Sequence, residues 1–129
     1  MPDPIRVLVV DDEDRFRTTL VKLLGAQGLT AEAASGGEQA LAMLAEKPFD
    51  VVLLDVKMPG ESGQEVLPRI KAIAPGVEVL VLTGHASVDI AAEMIAGGAA
   101  DYLLKPCPLD ELVGCVRAVY DRKKAVGAR

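Results

Sequence analysis

The sequence predicts a doubly wound α/β sandwich, a parallel sheet with helices on both faces. Short runs rich in Val, Leu and Ile recur along the chain, and segments with three- and four-residue apolar spacing lie between them. The near-continuous hydrophobicity of the runs suits strands covered on both sides, as in parallel sheets. Alternation of strand and helix then implies right-handed crossovers.

In chain order, IRVLVV from Ile5 is the first strand, and Phe16, Leu20, Leu23 and Leu24 mark the first helix. LTAEAA from Leu29 is a weaker second strand, followed by a helix marked by Ala40, Leu41 and Leu44. DVVLLD from Asp50 is the third strand. Val66, Ile70 and Ile73 mark the third helix, which should kink at Pro68 unless it begins late. VEVLVLT from Val77 precedes a helix marked by Ala91, Met94 and Ile95. DYLLKP from Asp101 precedes one marked by Leu109, Leu112, Val113, Val116 and Tyr120. The closing DRKKAVGAR reads as frayed. Residues 1–129 are therefore expected to form one domain, with a core from about 5 to 122 and a tail or linker start over 123–129.

Composition narrows the function. At 129 residues, half of them hydrophobic, the chain can bury roughly two-thirds of its unfolded surface as one domain. A net charge of −5 argues against direct nucleic-acid binding, which needs a basic face. Only 3% aromatic residues and no Trp leave no stacking platform for single strands. Cys107 and Cys115 have neither CxxC nor His-rich spacing and read as reduced structural thiols. MPDPIR lacks the pattern of a leader, and no apolar run approaches the roughly 18 residues of a membrane span. A cytoplasmic location without membrane contact is the expectation.

The residues that close the strands carry the chemistry. The first run ends at Asp11 and Asp12, the third at Asp55, the fourth at Thr83 and the last at Lys105. Parallel strands point the same way, so these ends gather at one sheet edge, where open α/β sheets bind ligands. Singly, each has an ordinary reading as a helix cap, a turn residue or a solvated lysine. Together they form a cluster whose carboxylates repel by roughly 4 kcal/mol per pair at about 4 Å and an effective dielectric near 20. Oxygen ligands without histidine or thiol favour a hard ion such as magnesium. Such a site suits a phosphoryl group, with a carboxylate as nucleophile. Asp55, on a central strand between the acidic pair and Thr83 and Lys105, is the candidate.

At these residues the chain resembles the receiver domain of two-component response regulators. The resemblance rests on VVDDE, LLDVKMPGESG, LTGH and DYLLKP, in order and at family-like spacing, and runs from Ile5 to about Arg122. It implies a flavodoxin-like (βα)5 sandwich with a five-stranded parallel sheet in the order 2-1-3-4-5. It makes Asp55 the phosphoacceptor for a sensor histidine kinase or phosphotransfer protein. Asp12 and Asp55 would bind Mg2+ directly, with Mn2+ as a substitute, Asp11 through water, and Lys57 by its backbone carbonyl. Thr83 and Lys105 would contact phosphoryl oxygens, and Gly84 would leave them room. Lys105-Pro106 would be cis, and Gly63 would serve a turn through positive φ.

The resemblance also implies a switch in which Thr83 moves toward the phosphoryl group and Tyr102 follows. This would alter the face made by the fourth helix, last strand and last helix for an output domain, a target or a second copy. The chain would catalyse only its own phosphorylation and slow dephosphorylation. Lys57 and His85, each two residues past a site residue, would tune phosphoryl lifetime; His85 as a general base is the weaker reading. Cys107-Pro108 departs from the family, where an aromatic residue often follows KP. The wording TGHASVDIAAEMIAGGAADYLLKPC is most like receivers attached to AAA+ transcriptional activators.

Three rivals share parts of this pattern. A haloacid-dehalogenase-type phosphatase needs a second aspartate at the position of Lys57. A degenerate receiver would bind partners without phosphorylation, and has no use for the intact Asp11, Asp12, Asp55, Thr83 and Lys105 set. A flavodoxin-like cofactor binder needs a phosphate-cradling loop where this chain has DDEDR.

Overall fold

A computed structural model describes residues 3–127. Five parallel strands, β1 (Arg6–Val10), β2 (Thr30–Ala34), β3 (Val51–Leu54), β4 (Glu78–Thr83) and β5 (Asp101–Leu104), form one sheet in the order β2-β1-β3-β4-β5. Helices α1 (Asp14–Ala26), α2 (Gly37–Glu46), α3 (Gly63–Ile73), α4 (Val88–Ala96) and α5 (Leu109–Gly127) alternate with them. The expected strand order and sandwich are both present.

Strand alternation divides the core into two layers. Leu8, Val10, Val52, Leu54, Val79 and Val81 face a cluster supplied by α2, α3 and α4, including Leu41, Val66, Ile70 and Met94. Val7, Val9, Val51, Leu53, Leu80 and Leu82 face Leu20 and Leu24 of α1 and Leu112, Val113 and Val116 of α5. The continuous apolar runs of β1, β3 and β4 thus serve both faces at once. The edge strands read less clearly, because each is covered on fewer sides. β2 is alanine-rich, and β5 exposes Asp101 and Leu104.

Helical spacing overestimated burial at three positions. Leu23, Ile73 and Ile95 are each more than two-fifths exposed, because each lies just off its helix's buried stripe. Pro68 does sit inside α3, where its missing N–H removes one helical bond. Its side is exposed, so the loss falls where water can satisfy the freed carbonyl. Ser62 starts α3 as part of a capping box with Glu65. The stretch expected to fray continues α5 to Gly127, and Lys123 pairs with Asp50 at 3.3 Å, tying the helix to the start of β3. Ala128 and Arg129 of that stretch lie outside the described residues. Among the described residues no helix is long and apolar enough to cross a membrane.

Gly63 has a different role from the expected one. Positive φ occurs at Gly28, Gly60 and Gly98, and Gly60 (φ 87°) supplies the turn after β3. Gly63 is required by close approach instead: a Cβ there would lie 2.5 Å from the Asp55 carbonyl oxygen and 3.0 Å from the Val56 Cα. Its N–H donates to the Val56 carbonyl at 2.7 Å. Arg69 of α3 steadies the same loop from outside, bridging Glu61 at 2.7 Å and Glu38 of α2 at 3.0 Å.

Gly63→Ala should therefore destabilise the fold by about 1–3 kcal/mol in urea denaturation, the usual cost of forced overpacking. Gly84→Ala, whose Cβ meets nothing within 4 Å, should stay within about 0.5 kcal/mol of wild type. Equal effects from the two substitutions would contradict the steric account.

Candidate functional site

Among the described residues, the buried polar or charged side chains are Asp11, Asp55 and Thr83, and all three stand at the C-terminal edge of the sheet. Ladder bonds that run past the strands fix them there. Asp11 N–H donates to Ala34 (3.2 Å), Asp55 N–H to Val10 (3.0 Å), and Lys105 N–H to Thr83 (2.8 Å). Three strand ends are thus locked in register before any side-chain chemistry begins.

Carboxylate oxygens of Asp11, Asp12 and Asp55 lie within 4.8 Å of one another. At that separation each ionised pair repels by about 3–4 kcal/mol at an effective dielectric near 20. Lys105 offsets this. Its ammonium, largely buried, lies 2.6 Å from Asp11 Oδ2, 3.4 Å from Glu13 Oε1 and 3.7 Å from Asp55 Oδ2. Burial alone would pull the lysine pKa down, but the Asp11 hydrogen bond and charge, with Asp55 and Glu13, outweigh it and raise the net value.

Asp11 is committed on both oxygens. One accepts from the Glu13 N–H at 2.9 Å and the other holds Lys105. Asp55 differs, for burial pushes its carboxyl up, against the Thr83 hydroxyl, the Lys105 charge and the Lys57 amide, while the Asp11 charge pushes the same way as burial. Asp12 is exposed at the mouth of the cluster.

On the other side of Asp55 is a cleft of about 460 Å3, lined in part by Asp12, Lys57, Met58, Gln64, His85 and Ile90. Lys57 is exposed and His85 half-buried. Thr83 Oγ accepts the His85 N–H at 3.2 Å, and the Tyr102 hydroxyl donates to the His85 carbonyl at 2.6 Å. The His85 backbone therefore joins Thr83 to Tyr102, a link that the sequence pairing of those two side chains did not contain. Tyr102 is half-buried against the α2–α3–α4 layer. Lys105-Pro106 is cis, as expected.

Two contacts of Lys105 escaped the sequence. Glu13 looked like one more acidic loop residue, and Phe16 read only as a core position of α1. The Phe16 ring centroid lies 4.0 Å from the Lys105 ammonium. Only the reach of the Lys105 side chain to the start of α1 brings them together. Cys107 and Cys115 are free, half-buried thiols whose pKa values burial pushes upward, in keeping with structural roles.

The model of the response regulator receiver domain family matches residues 7–117. The chain belongs to this family. Transcriptional regulatory protein ZraR of Escherichia coli O157:H7 is 43% identical over 110 residues, covering 85% of this chain and 25% of the relative. The chain thus spans about a quarter of that curated protein's length. A response regulator receiver domain protein from Clostridium thermocellum superposes with a TM-score of 0.89 at 35% identity, covering 95% of this chain and 98% of that one. The beryllofluoride-activated NtrC4 receiver domain dimer gives 0.86 at 34% identity, over 92% and 98%. The receiver fold and a place in two-component signalling follow for this chain.

An acid with a raised folded pKa favours folding while protonated. That contribution is complete below the ordinary value of 3.8 and is lost as pH rises through the folded value. With divalent ions chelated, Asp55→Asn should raise the receiver's melting temperature by a few degrees near neutral pH. The gain should shrink as pH falls toward about 4. A pH-independent difference would show that burial of this carboxylate does not govern its cost.

Proposed function

We propose that this receiver accepts a phosphoryl group on Asp55 from a histidine kinase or phosphotransfer protein and uses it to remodel a partner-binding face. The observation that carries the reading is the burial of Asp55 beside a paired lysine and a threonine hydroxyl at one rigid edge. An Asp55 oxygen attacks phosphorus, a new O–P bond forms and the donor's bond to phosphorus breaks, the donor leaving with the bonding electrons. Lys105, 3.7 Å from Oδ2, would pair with an equatorial oxygen. Thr83 accepts from His85 and so keeps its own proton for a second.

The donor set fits magnesium, being all oxygen and hard. Asp12 and Asp55 would hold Mg2+ directly, the Lys57 carbonyl would complete the protein's share, and Asp11, with both oxygens engaged, would act through water. The ion supplies charge compensation at the transferring phosphoryl group. A phosphatase of the haloacid-dehalogenase type is disfavoured because the position of its acid/base carries exposed Lys57. The phosphoryl group then persists as a signal, with Lys57 and His85 at the cleft tuning water access.

Transmission runs through residues 83–85. When the Thr83 hydroxyl turns to a phosphoryl oxygen, its bond to the His85 N–H is strained, and the Tyr102 anchor on the same residue shifts with it. The α4–β5–α5 face, which exposes Ile95 and Leu104, is the surface read by an output domain, a target or a second copy. ZraR's name and the NtrC4 dimer support a transcriptional setting and dimerisation on activation. Residues 1–129 act in this reading as one receiver unit in the cytoplasm.

A small phosphodonor with Mg2+ should add one hydroxylamine-sensitive phosphoryl group, read by intact mass, and Asp55→Asn should abolish it; undiminished labelling of that variant would overturn the acceptor assignment. Beryllofluoride with Mg2+ should shift the amide resonances of Thr83, His85, Tyr102 and the start of α5. Spectra unchanged beyond the acidic cluster would leave a phosphate carrier without a switch.

A further inference from the structure

Among the described residues, Lys105 is the cation paired with the carboxylates of the buried acidic cluster, yet it ends a flexible four-carbon stem beside empty space. A crevice of about 220 Å3 opens next to it, lined by Phe16, Leu20, Leu82, Cys107 and Leu112 among others. Packing alone therefore leaves one flank of the lysine uncovered. On the carboxylate side its partners compete. Asp11 is nearest at 2.6 Å and buried, whereas Glu13, at 3.4 Å and two-thirds exposed, competes from the solvent side with buried Asp55 at 3.7 Å. The face of Phe16, 4.0 Å from the ammonium, is the remaining contact that can set the balance. A ring face attracts a cation through its quadrupole, most strongly where water is scarce.

We propose that Phe16 is a positioning residue for phosphoryl transfer, its ring holding the Lys105 ammonium over the Asp55 carboxylate against the pull of Glu13. This rests on Asp55 as acceptor. A leucine fills much of the same space and satisfies the α1 packing, but it offers no π face. The half-buried state of Phe16 fits a ring that serves an ammonium as well as the core.

Two measurements test it. In unphosphorylated protein, the Lys105 ε-methylene protons should resonate upfield from ring current. They should return to the ordinary lysine position in Phe16→Leu and stay upfield in Phe16→Tyr and Phe16→Trp. With a small phosphodonor and Mg2+, Phe16→Leu should be labelled roughly three- to tenfold more slowly, and Phe16→Tyr at close to the wild-type rate. Glu13→Gln should restore part of the rate lost in Phe16→Leu. An unshifted Lys105 in wild type, or a Phe16→Leu variant labelled as fast as wild type, overturns the proposal while leaving Asp55 as acceptor. Absence of wild-type labelling, or labelling that survives Asp55→Asn, overturns the acceptor reading and this inference with it.

Discussion

The site depends on a single ion pair network: one lysine brought from the far end of the chain to sit among carboxylates whose mutual repulsion it offsets. Asp11 and Lys105 are separated by most of the sequence, yet their side chains meet at 2.6 Å. Removing either leaves a buried charge without its partner, the costly case for a desolvated pair. The sheet order sets how these side chains meet. With β1 and β3 adjacent and β5 two strands away from β3, the lysine arrives from one flank, leaving the opposite side of Asp55 open as a cleft.

Electrostatics and backbone geometry divide the work. The strands fix where the polar groups sit, because the ladder continues one residue past β1, β3 and β5. The charges then decide what those groups can bind. Asp11 is saturated by Glu13 and Lys105, Asp12 is open to solvent, and Asp55 carries a desolvation cost that a cation or a phosphoryl ester would relieve. Three aspartates of one type thus receive three different environments within a few ångströms. The ion pair network stabilises the fold only in the sense that it limits a penalty created by the site itself.

Much of this was legible in the sequence because it depends on period and order. Central strands announce themselves as unbroken apolar runs, and residues that close parallel strands must converge. What escaped depends on tertiary neighbours. Phe16 and Leu23 share the same helical spacing, but one stands over an ammonium and the other faces solvent. Gly63 was expected to supply a left-handed turn, yet Gly60 does so; sequence shows that a glycine is present, not whether angle or space demands it. His85 drew attention through its imidazole, whereas its backbone makes both bonds that connect Thr83 to Tyr102. Main-chain roles leave no mark in residue identity.

The absence of a side chain at Gly63 has a mechanical meaning. The backbone of the helix start rests directly on the peptide that carries Asp55, with Gly63 N–H bonded to Val56 and the Arg69 bridge closing the loop from outside. Asp55, the proposed nucleophile, and the loop bearing the Lys57 carbonyl are therefore packed together with little space between them. A cation bound as proposed would meet ligands whose spacing folding has already set, so little ordering entropy would be lost at binding. In the proposed reading the same close packing would direct motion elsewhere: displacement caused by a new phosphoryl group on Asp55 would be taken up on the opposite bank, among Thr83, His85 and Tyr102.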